Sequence, residues 1–440
     1  MTESTTIYQR PAELLQALIR FDTSNPPGGE AACVAYIDGL LKSQGIATTL
    51  LEKTSGRPNL IARLKGTGSA PPLLLYGHVD VVPTTGQQWT RDPFGGDIHD
   101  GFIWGRGALD MKGGVAMMVA AFLRAHAEKT ALPGDVILCI VSDEERGGDV
   151  GARFLVNEHA DLFKDVRWAI GEFGGFTLYF GGQRFYAIQV AEKQPCWLRA
   201  TLRGPAGHAS TPIRGGAMSK LGKLLTALDE QQMPTHVTPA ARAMFEAIAA
   251  GVPSPMDMLL RGLLDPAQTD MLLENMGDQR QMINPLFRHT VSPTVLRSGE
   301  ATNVIPAAVT VDLDVRMLPG FQPDDMLREL RAIIGDAVEL ETVIFDPGPG
   351  DPDMRWFATL EGILRESDPG AKAVPLMLAA VTDARFFAQL GIQTYGFLPM
   401  QLAEDFNFAA SIHAADERIP VEALAFGTDA VFKALGRSGG

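Results

Sequence analysis

Asp135-Val136-Ile137-Leu138-Cys139-Ile140-Val141 is an apolar run behind a single acid, and Ser142-Asp143-Glu144-Glu145 follows it at once. A strand with one wet face alternates apolar and polar residues. A run that is apolar at every position instead fits a strand covered on both faces. Residues 59–64 and 72–76 are two more short apolar runs bounded by turn residues, and they read as strands. Between such runs lie helical patterns. Residues 11–20 place Leu14, Leu15, Leu18 and Ile19 at helical spacing. Residues 32–44 form a second pattern, stopped by Gly45, and Gly113-Gly114 opens a long apolar helix over 115–128. Alternating elements of this kind predict an α/β/α sandwich around a mostly parallel sheet.

Near residue 190 the pattern changes. Residues 197–203 and 308–316 alternate apolar with polar, as antiparallel strands covered on one face do. A helix is expected over 217–231, then a Met-rich, Pro-punctuated region over 236–290. A helix over 323–334 and a strand over 338–345 complete an α+β unit. After Gly348-Pro349-Gly350 the α/β pattern resumes, with a helix near 355–366, short strands and a last helix over 421–435. The expectation is one α/β domain in two parts, 1–189 and 347–440, interrupted by an inserted α+β domain, 190–346.

The 440 residues are 46% hydrophobic and 20% charged, which argues for a packed chain and against disorder. No stretch approaches the roughly 18 apolar residues of a membrane span. The first ten residues are polar and carry no expected export signal. A formal charge of −14 repels nucleic acid and anionic membranes, so neither is an expected partner. It leaves room for a small anionic substrate met by local cations. Cys33, Cys139 and Cys196 are odd in number and far apart, with no Cys-x-x-Cys. They support neither a disulfide framework nor a thiolate zinc site, and they fit a reducing cytoplasmic compartment.

Five segments carry candidate chemistry. His78 follows the apolar run at 72–76, and ligands of open α/β sheets gather at the carboxyl ends of strands. Asp80, two residues on, is placed to accept the second imidazole N–H of a metal-bound His78. Asp110 sits among glycines just ahead of the 115–128 helix, where the plain alternative is an N-cap. Glu144 and Glu145 crowd the end of the 135–141 run. Acids packed so densely repel one another unless a cation lies among them. One could bind metal while the other faces the water. Glu172 and His413 are each weak alone. Together the set offers two His, several carboxylates and no Cys, which suits Zn²⁺, Co²⁺ or Mn²⁺. Five such ligands with one shared carboxylate would hold two ions about 3.5–4 Å apart.

In this order the segments resemble the M20 family of metallopeptidases and amidohydrolases. That group takes in glutamate carboxypeptidase, acetylornithine deacetylase, succinyl-diaminopimelate desuccinylase and aminoacylase-1. The resemblance runs from Asn25-Pro26-Pro27 through Gly77-His78-Val79-Asp80, Gly105-Arg106-Gly107 with Asp110, and Asp143-Glu144-Glu145. It continues through Gly207-His208-Ala209-Ser210, Thr302-Asn303-Val304-Ile305-Pro306, Thr382-Asp383-Ala384-Arg385-Phe386 and His413-Ala414-Ala415-Asp416-Glu417. It implies a di-metal exopeptidase-like catalytic domain with an inserted lid and dimerisation domain. It implies Asp110 as bridging ligand, His78 and Glu172 on one metal, and Glu145 and His413 on the other. Glu144 resembles the general base and Asp80 the partner of His78. His208 resembles the histidine that stabilises the oxyanion, often from the other subunit of a homodimer. Asn303 and Arg316 resemble residues that hold the substrate, Arg316 on a carboxylate. The implied cofactor is a pair of divalent ions, Zn²⁺ first, with Co²⁺ or Mn²⁺ as alternatives. The region 236–290 exceeds a compact lid, which leaves open whether His208 acts in cis or in trans.

The expected function is metal-dependent hydrolysis of an amide beside a free carboxylate, as in an N-acyl-amino-acid amidohydrolase. A metallo-carboxypeptidase or dipeptidase would use the same groups on a short peptide. A catalytically silent ligand-binding relative would lack a ligand or the base, and none is missing. Aromatic residues after Glu172, Phe173 and Phe176 among them, read first as core and second as a hydrophobic acyl pocket.

Overall fold

The structure is a computed structural model that describes residues 3–348 and 350–439. Met1 and Thr2 of the polar start, Pro349 of the expected turn and Gly440 lie outside the described residues. A nine-stranded sheet draws on both ends of the chain. Its order is Thr48–Glu52, Pro58–Leu64, Val136–Val141, Leu73–His78, Trp168–Gly171, Gln393–Gly396, Gln183–Glu192, Ala373–Leu378, with Thr177–Phe180 paired beside Gln183–Glu192. Leu73–His78 and Val136–Val141 are buried at every position, as their unbroken apolar runs require.

The sheet is mixed, where a mostly parallel one was expected. From Val136–Val141 through Leu73–His78 and Trp168–Gly171 to Gln393–Gly396 the pairings are parallel. Antiparallel pairings flank this centre on both sides. Connection length explains the hairpins, because a parallel return needs a crossover of a dozen or so residues. Gly181-Gly182, both at positive φ, turn one of these hairpins directly. The helix Lys112–Ala127 is buried along most of its length and packs against Pro11–Ile19 and Val421–Leu435. Trp168 and Trp356 stack at 5.4 Å, tying the early strands to the returning chain.

A second sheet is antiparallel, in the order Thr290–Ser298, Ala308–Met317, Gln194–Arg203, Glu339–Phe345. Along Ala308–Met317 buried positions alternate strictly with partly exposed ones. The buried side packs under the helices Ala217–Glu230 and Pro323–Ile334, in a core that includes Leu202, Val311, Leu221 and Leu330. The chain crosses between the sheets at Gln194, whose side chain donates to the Leu318 carbonyl at 2.8 Å and accepts from the Gly348 N–H at 2.8 Å.

The Met-rich region does not cover this second sheet. Its helix Pro239–Gly251 lies against Gln183–Glu192 and Ala373–Leu378, and Ala241, Phe245 and Ile248 join the core of the large sheet. An amphipathic pattern marks an apolar face without saying which sheet it will meet.

Candidate active site

His78 ends the strand Leu73–His78, and its side chain is 1% exposed. Gly77 before it leaves room for Met111, since a Cβ there would stand 2.7 Å from the Met111 Cε. Asp110 precedes the helix Lys112–Ala127, but Met111 occupies the N-cap position and no side chain caps the helix. The Asp110 carboxylate points elsewhere. Its Oδ1 lies 3.1 Å from His78 Nε2 and its Oδ2 3.1 Å from His413 Nε2. Glu172 follows the strand Trp168–Gly171 and places Oε2 3.3 Å from His78 Nε2. Glu145 lies on the single turn Glu144–Arg146 after Val136–Val141 and places Oε2 3.3 Å from His413 Nε2. Two groups of potential metal ligands result, His78–Asp110–Glu172 and Asp110–Glu145–His413, and they share Asp110.

Separations near 3 Å between ligand atoms are those of donors around one small cation, since each donor sits about 2 Å from the ion. Glu145 Oε1 and Glu172 Oε1 are buried with no hydrogen-bond partner. Buried carboxylate oxygens are costly in that state, and a cation satisfies them. Imidazole and carboxylate donors without thiolate match borderline and hard divalent ions. The residues therefore fit a metal pair.

The electrostatics agree. Burial alone would lower His78, but the charge of Glu172 and hydrogen bonds to the carboxylates of Asp110 and Glu172 hold it well above the ordinary imidazole value. Hydrogen bonds to Asp110 and Glu145 push His413 up to about 10. Burial raises Asp110, yet the two histidines outweigh it and hold that carboxyl far below its usual range. Burial, then Asp110, raises Glu145 to about 7. Glu144 is raised well above the carboxylate range, by burial first and the charge of Glu172 second. Without metal the centre thus holds protons where cations belong.

Asp80 acts differently from the expectation. The His78 Nδ1 lies 3.0 Å from the backbone oxygen of Asp80 and 3.6 Å from its carboxylate, so the carbonyl and not the carboxylate is within hydrogen-bond reach. The carboxylate instead accepts the N–H groups of Glu144 (3.1 Å) and Glu145 (3.2 Å) and the Asn25 amide (2.9 Å). It orients the turn that carries both glutamates.

A cleft of about 660 Å³ opens over the cluster, lined among others by Glu144, Glu145, His413, Arg316, Arg385 and Trp197. That is within the roughly 300–1,000 Å³ of small-molecule sites. Arg316 lies there with Nε and Nη2 on Asp314 at 2.7 and 3.0 Å. His208 and Asn303 do not line it. They lie side by side on the ribbon of Gly207–His208 and Val304–Ile305, both exposed, with the Ala209 N–H on the Asn303 carbonyl. His208 Nδ1 is 2.8 Å from Ser210 Oγ, and among the described residues no hydrogen bond or ion pair links His208 to the cluster.

Two residues beside the centre went without a role in the sequence reading. Both oxygens of Asp383 are buried and unpartnered, and burial raises its carboxyl to about 7. Arg385 is buried against Glu144, Nη1 to Oε1 3.9 Å. Their motif was visible, but only the fold brings it under the sheet's edge. Phe173, Phe176, Leu398, Met400 and Phe408 line a small apolar recess beside Asp110 and Glu172. A third His/Glu grouping, His236, His289 and Glu329, belongs to the second sheet's side. There His289 Nδ1 accepts the Leu318 N–H at 3.0 Å, so the neutral ring carries its proton on Nε2, the atom facing Glu329. A metal at Nε2 would have to strip that proton.

An α/β fold that gathers two histidines and three carboxylates around the ends of its central strands, below a cleft of small-molecule size, has the build of a metal-dependent hydrolase. The chain belongs to Peptidase family M20/M25/M40, whose profile matches residues 74–437, and it is a hydrolase of that family. It is 26% identical to aminoacylase-1 of Sus scrofa over 432 residues, covering 94% of this chain and 92% of that protein. It is 27% identical to the N-fatty-acyl-amino acid synthase/hydrolase PM20D1 of Homo sapiens over 372 residues, covering 81% and 72%. Its fold is that of the M20 family metallo-carboxypeptidase Sso-CP2 from Sulfolobus solfataricus, with a TM-score of 0.66, 18% identity and 99% of each chain covered. No described helix is long and apolar enough to cross a membrane.

Proposed function

We propose that this enzyme hydrolyses the amide bond of N-acyl amino acids. The observation that carries the reading is the Asp110 carboxylate, one oxygen on each histidine, with Glu144 lining the cleft together with Glu145 and His413. In this reading His78 and Glu172 would hold one divalent ion and Glu145 and His413 the other, with Asp110 common to both groups. Such ions, Zn²⁺ by preference, lower the proton affinity of a water and polarise an amide carbonyl. Glu144 takes the proton of the attacking water and later hands it to the leaving nitrogen. A buried carboxylate with raised proton affinity suits that relay. Asp80 holds the Glu144 turn in place through the two N–H groups it accepts. Arg316, oriented by its two hydrogen bonds to Asp314, meets the free carboxylate of the amino-acid half. The apolar recess beside Glu172 favours a hydrophobic acyl group.

The same reading makes residues 190–346, apart from the helix Pro239–Gly251 that packs on the large sheet, the lid and dimerisation unit, with 1–189 and 347–440 as the catalytic domain. The strand Thr290–Ser298 is an exposed edge, Val295 42% and Leu296 55% exposed, beside the exposed Met218 and Leu225. An edge of that kind invites a second copy, and His208 and Asn303 would then act on the partner's cleft. Three unpaired, buried cysteines support a cytoplasmic setting.

A second reading, a metallo-carboxypeptidase or dipeptidase, is favoured by the arginine-lined cleft, which is large enough for a short peptide. Kinetics of the metal-loaded enzyme on N-acyl amino acids and on dipeptides separate the two. A kcat/KM about tenfold or more in favour of N-acyl amino acids supports the first, and the reverse order supports the second.

A further inference from the structure

Arg106 and Glu417 form an ion pair shut off from water, their side chains 1% and 0% exposed, with Nη1 to Oε2 2.6 Å. Neither belongs to the ligand set, yet each reaches the backbone of a different ligand loop. The Glu417 carboxylate accepts the N–H groups of Gly107 (3.2 Å), Leu109 (2.7 Å) and Asp110 (3.1 Å). Arg106 Nη2 donates to Gln87 Oε1 at 2.7 Å and reaches the carbonyl of His413 at 3.3 Å. The Gln87 amide donates to that same carbonyl at 2.7 Å. His413 has φ +60°, and so does Asp416, whose carboxylate accepts from Thr90 N–H and Oγ. A residue with a Cβ keeps that left-handed conformation when its surroundings hold it there. Here the holders are side chains from the 87–106 stretch. His78 and Glu172, at the ends of strands, take no hydrogen bond from this network.

We propose that Arg106, Glu417 and Gln87 are positioning residues that clamp the His413 loop against the Asp110 loop and so set the metal affinity of the Asp110–Glu145–His413 half. The clamp never touches the ion. It fixes the 3.1 Å between Asp110 Oδ2 and His413 Nε2, as outer-shell partners of metal ligands do elsewhere. Its weight falls on the Asp110–Glu145–His413 half, because in the other half His78 and Glu172 take their geometry from the sheet and only the shared Asp110 touches the clamp. The proposal rests on the reading of a two-metal centre.

Apo-protein titrated with Co²⁺, followed by d–d absorption and calorimetry, resolves the two halves. Gln87 is half-buried, so Gln87→Ala keeps the fold, which an unchanged apo Tm verifies. The expected result is one site weakened about 10–100-fold, the range typical of outer-shell losses, and the other within about twofold. Arg106→Lys keeps a charge beside Glu417 and should show the same one-sided loss. Should that variant fail to fold, Gln87→Ala decides. Two unchanged affinities in Gln87→Ala, or two that fall equally, overturn the clamp. A wild-type protein that binds a single Co²⁺ overturns the two-metal reading itself, and the clamp with it.

Discussion

The two halves of the ligand cluster are built differently. His78 and Glu172 sit at the ends of the strands Leu73–His78 and Trp168–Gly171, in the parallel centre of the large sheet. The sheet's own hydrogen-bond ladder holds them, and both are buried. Glu145 and His413 sit on a tight turn and a loop. Asp143 and His413 take positive φ there, and the His413 side chain is 50% exposed. Side-chain hydrogen bonds, not a ladder, hold that half. The difference teaches that one site geometry can be reached by rigid backbone on one side and by a braced loop on the other. The braced side should be the more labile.

The largest expected effect falls on the shared residue. Asp110→Ala removes a ligand from both halves and should abolish binding of both ions, with activity lost, as metal analysis and turnover assays will show. Retention of one tight ion would mean that the halves do not share a ligand. Glu144→Gln touches neither half. It should lower kcat by about 10²–10⁴-fold, the usual worth of a general base, while metal content stays at the wild-type level.

Next come the two histidines. His78→Ala leaves Asp110 and Glu172 buried without their partner, and breaking such a buried pair costs on the order of 3 kcal/mol. Apo-protein thermal melts should show a clear loss. His413→Ala, at the half-exposed end, should lower the apo Tm less than His78→Ala yet remove one ion of two. Equal Tm losses would erase the contrast drawn above.

The smallest effect concerns pH. In the metal-free protein His413 lies at about 10 and His78 well above its ordinary value, each raised by neighbouring carboxylates. Both imidazoles are therefore protonated at neutral pH, and a cation must displace those protons. Metal affinity should rise as pH rises toward 10 and weaken on acidification. Calorimetry at pH 7 in buffers of different ionisation enthalpy should show net proton release on metal uptake. Proton-neutral binding would contradict the assigned protonation.

Much of this was legible in the sequence because the responsible signals are local. The apolar runs at 72–76 and 135–141 announced buried strands, and the acids and histidine at their ends announced the site. The limits are equally physical. Thr48–Glu52 has no alternation, since its pleat is largely exposed on both sides. Gln183–Glu192 carries the polar Gln189 and Glu192 into the sheet interior. Its Glu192 Oε2 accepts from the N–H and hydroxyl of Thr382, a residue no local window contains. The N-cap alternative for Asp110 failed because the helix begins one residue later, at Lys112. The work of Asp80 was half visible: a carboxylate was foreseen near His78, but its bonds to the Glu144 and Glu145 amides depend on how two strand ends meet.

The account stands on two cations flanking one carboxylate. Anomalous diffraction from crystals grown with Zn²⁺ tests it most directly. The predicted result is two peaks on either side of Asp110, one against His78 and Glu172 and one against Glu145 and His413. A single peak, or none within reach of Asp110, would contradict it.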